Sequence, residues 1–281
     1  MRKLFLVAVA AMMLAGCGKE GYDWGSKEEP QTGNEYGKVT LSVNEGNTVY
    51  VKSENITEAN GDYLVETLNS SSVQVSALSG TYSNLKGQTI TVPVGSYTIT
   101  SQNITASQAE AAYEGMGAAH YFGKSSFAVS ASATPSNVSV ICTMANAKVT
   151  FDYDETFTNM FDMASSTQVP TIVATPSNSL TADRSVTFTG DVNHDGKAAY
   201  FTVASTGTTL SFTITAARLS DGVVKSYTST TPVSLAAKTW HKVKIAASSN
   251  NGQAQITINV DGTITEAEEE ITVDPYAVAG N

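Results

Sequence analysis

From residue 38 onward, apolar and polar side chains exchange places almost one by one, and this restricts the fold more than any other feature. Val39, Leu41 and Val43 alternate with Lys38, Thr40 and Ser42, and Tyr97 and Ile99 alternate with Thr98 and Thr100. Val149, Phe151 and Tyr153 alternate with Lys148, Thr150 and Asp152, and Leu210, Phe212 and Ile214 with Ser211, Thr213 and Thr215. Val243 and Ile245, then Ile256, Ile258 and Val260, repeat the pattern. Successive side chains of a strand point to opposite faces, so each segment has one apolar face and one hydroxyl-bearing face. Such sheets bury their apolar faces against each other. The chain is therefore expected to be all-β, built of stacked antiparallel sheets.

Turn dipeptides punctuate the strands at Asn60-Gly61, Asp195-Gly196, Asp221-Gly222, Asn251-Gly252 and Asp261-Gly262. Two stretches break the alternation. Ala106 to Ala119 is Ala-rich, but Gly115 and Gly117 argue for a loop with at most a short helix. Asp154 to Ala164 can form a helical turn or two, with Phe157, Met160 and Phe161 on one side. The strand-patterned region is longer than one small sandwich needs, so two tandem antiparallel β-sandwich domains are expected, over 38–147 and 148–281. The boundary falls near Ala145 to Lys148, after the strand Val138 to Thr143. No internal repeat is visible.

Residues 1–16 have the form of a lipoprotein signal peptide. Arg2 and Lys3 precede an apolar run from Leu4 to Leu14, too short to span a bilayer. The run ends in Leu14-Ala15-Gly16-Cys17, the small-residue context in which a cysteine is acylated before the preceding bond is cut. Cys17 is the expected lipidation site, carrying palmitate-type chains that tie the protein to a membrane; more than one chain makes such an anchor stable. Residues 17–37 lack periodicity and form the expected lipidated tether. With Cys17 acylated, Cys142 has no partner and no disulfide framework exists. Cys142 shares a strand face with Val138 and Val140, the place of a buried thiol.

The formal charge is −10, and loss of Arg2 and Lys3 with the signal takes it to −12. That balance excludes nucleic acid and anionic headgroups as natural partners. Charged residues are only 15% of the chain, against the usual quarter or so. Ser and Thr fill much of the difference, which suits exposed strand faces.

The sharpest chemical motif is Asp191-Val192-Asn193-His194-Asp195-Gly196. Asp191, Asn193 and Asp195 have the spacing of a calcium loop. The twelfth position, which should hold a bidentate acid, is Thr202. The motif is therefore read first as a hairpin loop between Val186–Thr189 and Ala199–Ala204, with weak metal binding as the alternative. His120, His194 and His241 are scattered and lack zinc-site spacing. There is no nucleophile elbow and no phosphate-cradling glycine loop. No catalytic residue, resident metal or cofactor is assigned. Asp261 to Asp274 contains six acids and no base, read as a solvated turn before a last strand at Ile271-Thr272-Val273. Its charges discourage unplanned edge pairing. The uncharged tail from Pro275 to Asn281 is either loose or a strand for another subunit.

Several segments together resemble a known family. Val92-Pro93-Val94-Gly95-Ser96-Tyr97-Thr98-Ile99 is similar to a strand–turn–strand signature of transthyretin-like sandwiches. Tyr113-Glu114-Gly115, Phe127-Ala128-Val129, the run Val138 to Thr150, Lys238 to Val243 and Gly252 to Ile258 follow in order. This ordered set resembles the fimbrillin-like surface lipoproteins of Bacteroides-type bacteria, a family of unassigned function. The resemblance implies two transthyretin-like sandwiches, an outer-membrane or cell-surface location, and a role near pili or adhesion. It supplies no catalytic residues. The acids behind Cys17, at Glu20, Glu28 and Glu29, only partly match a surface-export pattern. Two functions follow as expectations. One is a structural or adhesive pilus-subunit-like module whose partners are other subunits or a host or bacterial surface ligand. The other is a non-catalytic glycan-capturing lipoprotein, for which the chain offers only Trp24 and Trp240 as large flat platforms. Its tyrosines are assigned to buried positions or to loops, as at Tyr113 and Tyr121.

Overall fold

The computed structural model describes residues 35–47, 55–164, 168–190, 197–229, 232–247, 254–260 and 268–273. The described residues form one compact unit. Its first half contains β1 (Tyr36–Asn47), β2 (Asn55–Glu58), β3 (Leu64–Asn69), β4 (Gly80–Thr81), β5 (Ile90–Pro93), β6 (Gly95–Gln102), β7 (Tyr121–Val129) and β8 (Ser136–Met144). The short helices α1 (Tyr82–Leu85) and α2 (Ala106–Ala111) lie between them. The second half contains β9 (Asn146–Tyr153), α3 (Glu155–Thr158), β10 (Thr171–Pro176), β11 (Val186–Thr189), β12 (Ala199–Thr202) and β13 (Thr208–Ala217). It continues through β14 (Val224–Thr228), β15 (Val233–Leu235), β16 (Trp240–Ile245), β17 (Ala254–Val260) and β18 (Glu268–Val273). The protein is all-β with little helix.

In the first half the strands run β2-β1-β8-β7-β6-β3-β4, with β5 also on β1. β7 and β8 share only the pairs Tyr121↔Met144 and Phe122↔Thr143. The sheet turns over at that seam. Val39, Leu41 and Val43 of β1 and Val138, Val140 and Cys142 of β8 then share one core with Val65 of β3 and Tyr97 and Ile99 of β6. β1 opens at Tyr36, two residues inside the tether drawn to residue 37. Gly37 hides this start because it has no side chain to alternate. An added Cβ there would meet the Ser130 carbonyl oxygen at 2.2 Å.

The second half is two five-stranded sheets, β11-β10-β13-β14 with β15 beside β13, and β12-β9-β16-β17-β18. Ala147, Val149 and Phe151 face Ile172, Phe188 and Phe212 across the core. Phe151 meets Phe188 and Phe212 edge-on, with ring centroids 4.8 and 5.7 Å apart. α3 is capped by Asp154, which accepts from the Thr156 N–H. It sends Phe157 into a stack between Tyr153 and Phe161. Only Ala145 separates β8 from β9, which already takes in Asn146 and Ala147.

Three expectations need correction. The sheets are not purely antiparallel: β1 pairs in parallel with β8, and β9 with β16. Alternation reports which face a residue occupies and is silent on strand direction. The strands flanking residues 191–196 do not form a hairpin, because β11 pairs with β10 in one sheet and β12 with β9 in the other. The Pro93–Tyr97 signature is strand, turn and strand as the resemblance implied, and its turn is also a change of partner: β5 pairs with β1, and β6 with β3 and β7. The Tyr97 hydroxyl donates to the Pro93 carbonyl across that corner. Among the acids of the last segment, Glu268, Glu269 and Glu270 belong to β18 itself, paired with β17.

Candidate functional site

Two adjoining grooves open on the first half of the fold, each enclosing about 370 Å³. They share Asn69, Ser70, Ser96 and Tyr97. The first continues along Thr98, Ser126 and Ala128, and the second runs under the Val92–Gly95 corner. The side-chain oxygen of Asn69 accepts from the Ser71 and Val73 N–H groups, both at 3.0 Å, and so shapes the loop after β3. Thr98 and Ser126 lie opposite each other on β6 and β7, with their hydroxyls 3.4 Å apart. Beneath them Tyr97 stacks on Phe127 at 5.4 Å. The lining offers hydroxyls and the amides of Asn69 and Gln74. These groups donate and accept hydrogen bonds, the kind of contact that fixes a polar ligand.

A buried polar cluster fixes how the groove-bearing half meets the other. Glu110 on α2 and Arg184, just before β11, form an ion pair at 3.3 Å with side chains 1% and 5% exposed. Glu110 also accepts from the Leu180 N–H at 2.7 Å and the Thr181 N–H at 3.2 Å. Arg184 donates to the carbonyls of Gly115 and Tyr200, each at 2.8 Å, and its guanidinium lies 4.8 Å from the Phe201 ring centroid. Burial opposes its charge and lowers its pKa, while Glu110 acts in the other direction. The Tyr200 N–H donates to the Met116 carbonyl at 2.8 Å. Asn146 adds a second tie, donating to Ala118 O at 2.7 Å and accepting from the His120 N–H. The sequence reading missed this cluster. Its signal was present: Thr105-x-x-Gln108 forms a capping box that starts α2 and carries Glu110 inward. Arg184 is also one of only three arginines in the chain.

Cys17, the motif Asp191, Asn193 and Asp195, His194 and Trp24 lie outside the described residues. Among the described residues no three metal-ligating side chains cluster. No helix among them is long and apolar enough to cross a membrane. Cys142 is fully buried beside Ser101, and burial pushes its thiol up to about 11. His120 and His241 are both buried, the first just before β7 and the second on β16. His241 accepts from the Ala236 N–H at 3.3 Å, and desolvation lowers its pKa to about 4. Trp240 is no open platform, because Lys148 and Lys242 sit 3.7 and 4.1 Å from its ring centroid. Its indole N–H donates to Thr150 at 2.9 Å. Neither expected loop tyrosine lies in a loop: Tyr113 is exposed and opens a 3-10 turn, and Tyr121 opens β7.

Residues 35–275 match the family model described as a domain of unknown function, DUF4493. The chain belongs to that family. As the sequence resemblance implied, the family's function is unassigned. No curated protein matches the chain. Among solved structures it is similar to a fimbrial assembly protein from Parabacteroides distasonis, at 9% identity and a TM-score of 0.47, over 83% of this chain and 99% of that one. It is also similar to a candidate adhesin from Bacteroides thetaiotaomicron, at 12% identity and a TM-score of 0.44, over 85% and 98%. A third similar structure, described as a candidate polysaccharide-binding protein from the same species, has 9% identity and a TM-score of 0.43, over 82% and 99%.

Proposed function

We propose that this DUF4493 protein is a non-catalytic adhesive module of the bacterial surface, held to the outer membrane through acyl chains on Cys17. The observation that carries the reading is the hydroxyl-lined groove, borne on a body whose halves are joined by the buried Glu110–Arg184 pair. That combination binds and holds. Pilus-like assembly is the finer part of the proposal. β14 ends the order β11-β10-β13-β14, and its first residue, Val224, is 44% exposed, which suits strand addition from another subunit.

A second reading, glycan capture, draws on the same groove, since Ser70, Ser96, Thr98 and Ser126 present the donors and acceptors that sugars use. One experiment separates the parts. Intact cells are labelled with a membrane-impermeant reagent, and complexes are then extracted and sized without heating. Labelling that is lost in Cys17→Ser supports the anchor, and heat-resistant ladders support assembly. Labelled monomers leave adhesion without polymerisation, and absence of labelling on intact cells refutes the surface role.

A further inference from the structure

We infer that the outward face of β3, β6 and β7 is a binding strip for a short neutral oligosaccharide, with Phe122 as its stacking platform. The inference rests on the glycan reading and adds the place, the ligand class and the residues.

Register defines the strip. Leu68, Thr98 and Ser126 lie in one row across the three strands, Glu66, Thr100 and Lys124 in the next, and Leu64, Gln102 and Phe122 in the last. Their neighbours Val65, Thr67, Tyr97, Ile99 and Ser101 are buried, so these rows face outward. From Ser96 at the groove to Gln102, six steps along β6 span about 20 Å, the length of a short oligosaccharide.

The far end is built for a sugar ring. Phe122 is 36% exposed on an outward strand position, where an aromatic gains little from the core. Its ring lies 6.2 Å from that of buried His120. His120 Nε2 is 3.2 Å from the side-chain oxygen of Gln102, the neighbour of Phe122 in the row. With that ring nitrogen donating, the Gln102 oxygen is engaged and its amide N–H₂ is left to donate to a ligand. An aromatic face beside an oriented amide recognises a pyranose, whose C–H groups lie on the ring while a hydroxyl accepts from the amide.

Other occupants fit less well. Leu64 and Ile141 are 41% and 47% exposed nearby, but Gln102 and Thr143 interrupt them. They do not make the continuous apolar centre of a protein interface, which needs about 800 Å² on each side. Glu66 and Lys124 flank Thr100 with opposite charge, and the chain carries −10 overall, so a polyanion gains nothing here.

The test titrates neutral gluco-, manno- and galacto-hexaoses, with a sulfated hexaose as the charged arm, into the purified protein by calorimetry. Wild type is compared with Phe122→Ala, Phe122→Leu and Gln102→Ala. Thr213→Ala on the second sandwich is the control. We expect binding of at least one neutral hexaose, weakened about tenfold by loss of the aromatic ring in either Phe122 variant, and severalfold in Gln102→Ala, with the control unchanged. Phe122→Leu keeps an apolar side chain without the π face, so a fold defect in Phe122→Ala does not decide the result. Binding that survives all three variants refutes the strip and leaves glycan capture standing. No binding by wild type refutes both, and preference for the sulfated hexaose refutes the neutral class.

Discussion

Glu110→Ala should be among the most damaging single substitutions in the chain. It removes the counter-charge of a guanidinium whose side chain is only 5% exposed. It also strips the acceptor from the Leu180 and Thr181 N–H groups. Breaking a buried ion pair from one side costs about 3–5 kcal/mol. Arg184 keeps its bonds to Gly115 and Tyr200, and its Nε already has no partner among the described residues, so the strained charge cannot easily be satisfied elsewhere. A loss of about 4 kcal/mol is expected, which for a unit of this size lowers Tm by about 10 °C. Glu110→Gln retains an oxygen for the two N–H groups and should lose about half as much. Replacing both partners, as Glu110→Leu with Arg184→Met, should recover much of the loss, giving a coupling energy above about 1.5 kcal/mol. Urea unfolding is followed by far-ultraviolet circular dichroism and by Trp240 fluorescence in a Trp24→Phe background. Wild type should unfold with coincident transitions and Glu110→Ala with separated ones, because the substitution loosens the tie between the halves. A single-variant loss below about 1 kcal/mol, or a coupling near zero, refutes the reasoning.

Gly117 has φ +84°, and an added Cβ would lie 2.7 Å from the Tyr200 carbonyl oxygen and 3.1 Å from Arg184 Nη2. Gly117→Ala should therefore cost about 2 kcal/mol or more in the same urea assay. The Asp154 carboxylate is held at about 2 by its bond to Lys244 and by the Thr156 N–H, against an ordinary 3.8. Its stabilisation is complete above about pH 4 and disappears as pH falls through about 2, so Asp154→Asn should flatten the urea-midpoint profile in that window. Buried His241 titrates at about 4 instead of 6.5, so the unfolded chain takes up its proton first. Stability should fall from pH 6.5 toward pH 4, and His241→Gln should make that decline shallower. Cys142, with its thiol pushed up to about 11 and no surface exposed, should resist a thiol reagent at pH 8 in Cys17→Ser protein and react once urea unfolds it.

The sequence by itself determined the two-faced strands and much of the core. Val149, Phe151, Leu210, Phe212 and Ile214 are buried as their alternation requires, and Cys142 sits with Val138 and Val140. These are local facts, since a residue's side of a pleat depends only on its parity along the strand. Phe157 and Phe161 were also legible, because a single helical turn places both on one side. Only the tertiary structure decided which strands are neighbours. The parallel pairs β1–β8 and β9–β16 join segments about a hundred residues apart in the chain, and hydroxyl and apolar faces look alike in either direction. The same limit hid the groove, assembled from β3, β6 and β7, and the Glu110–Arg184 pair, whose members are 74 residues apart. A buried charge has no periodicity of its own; its partner is fixed by the packing that removes both from water.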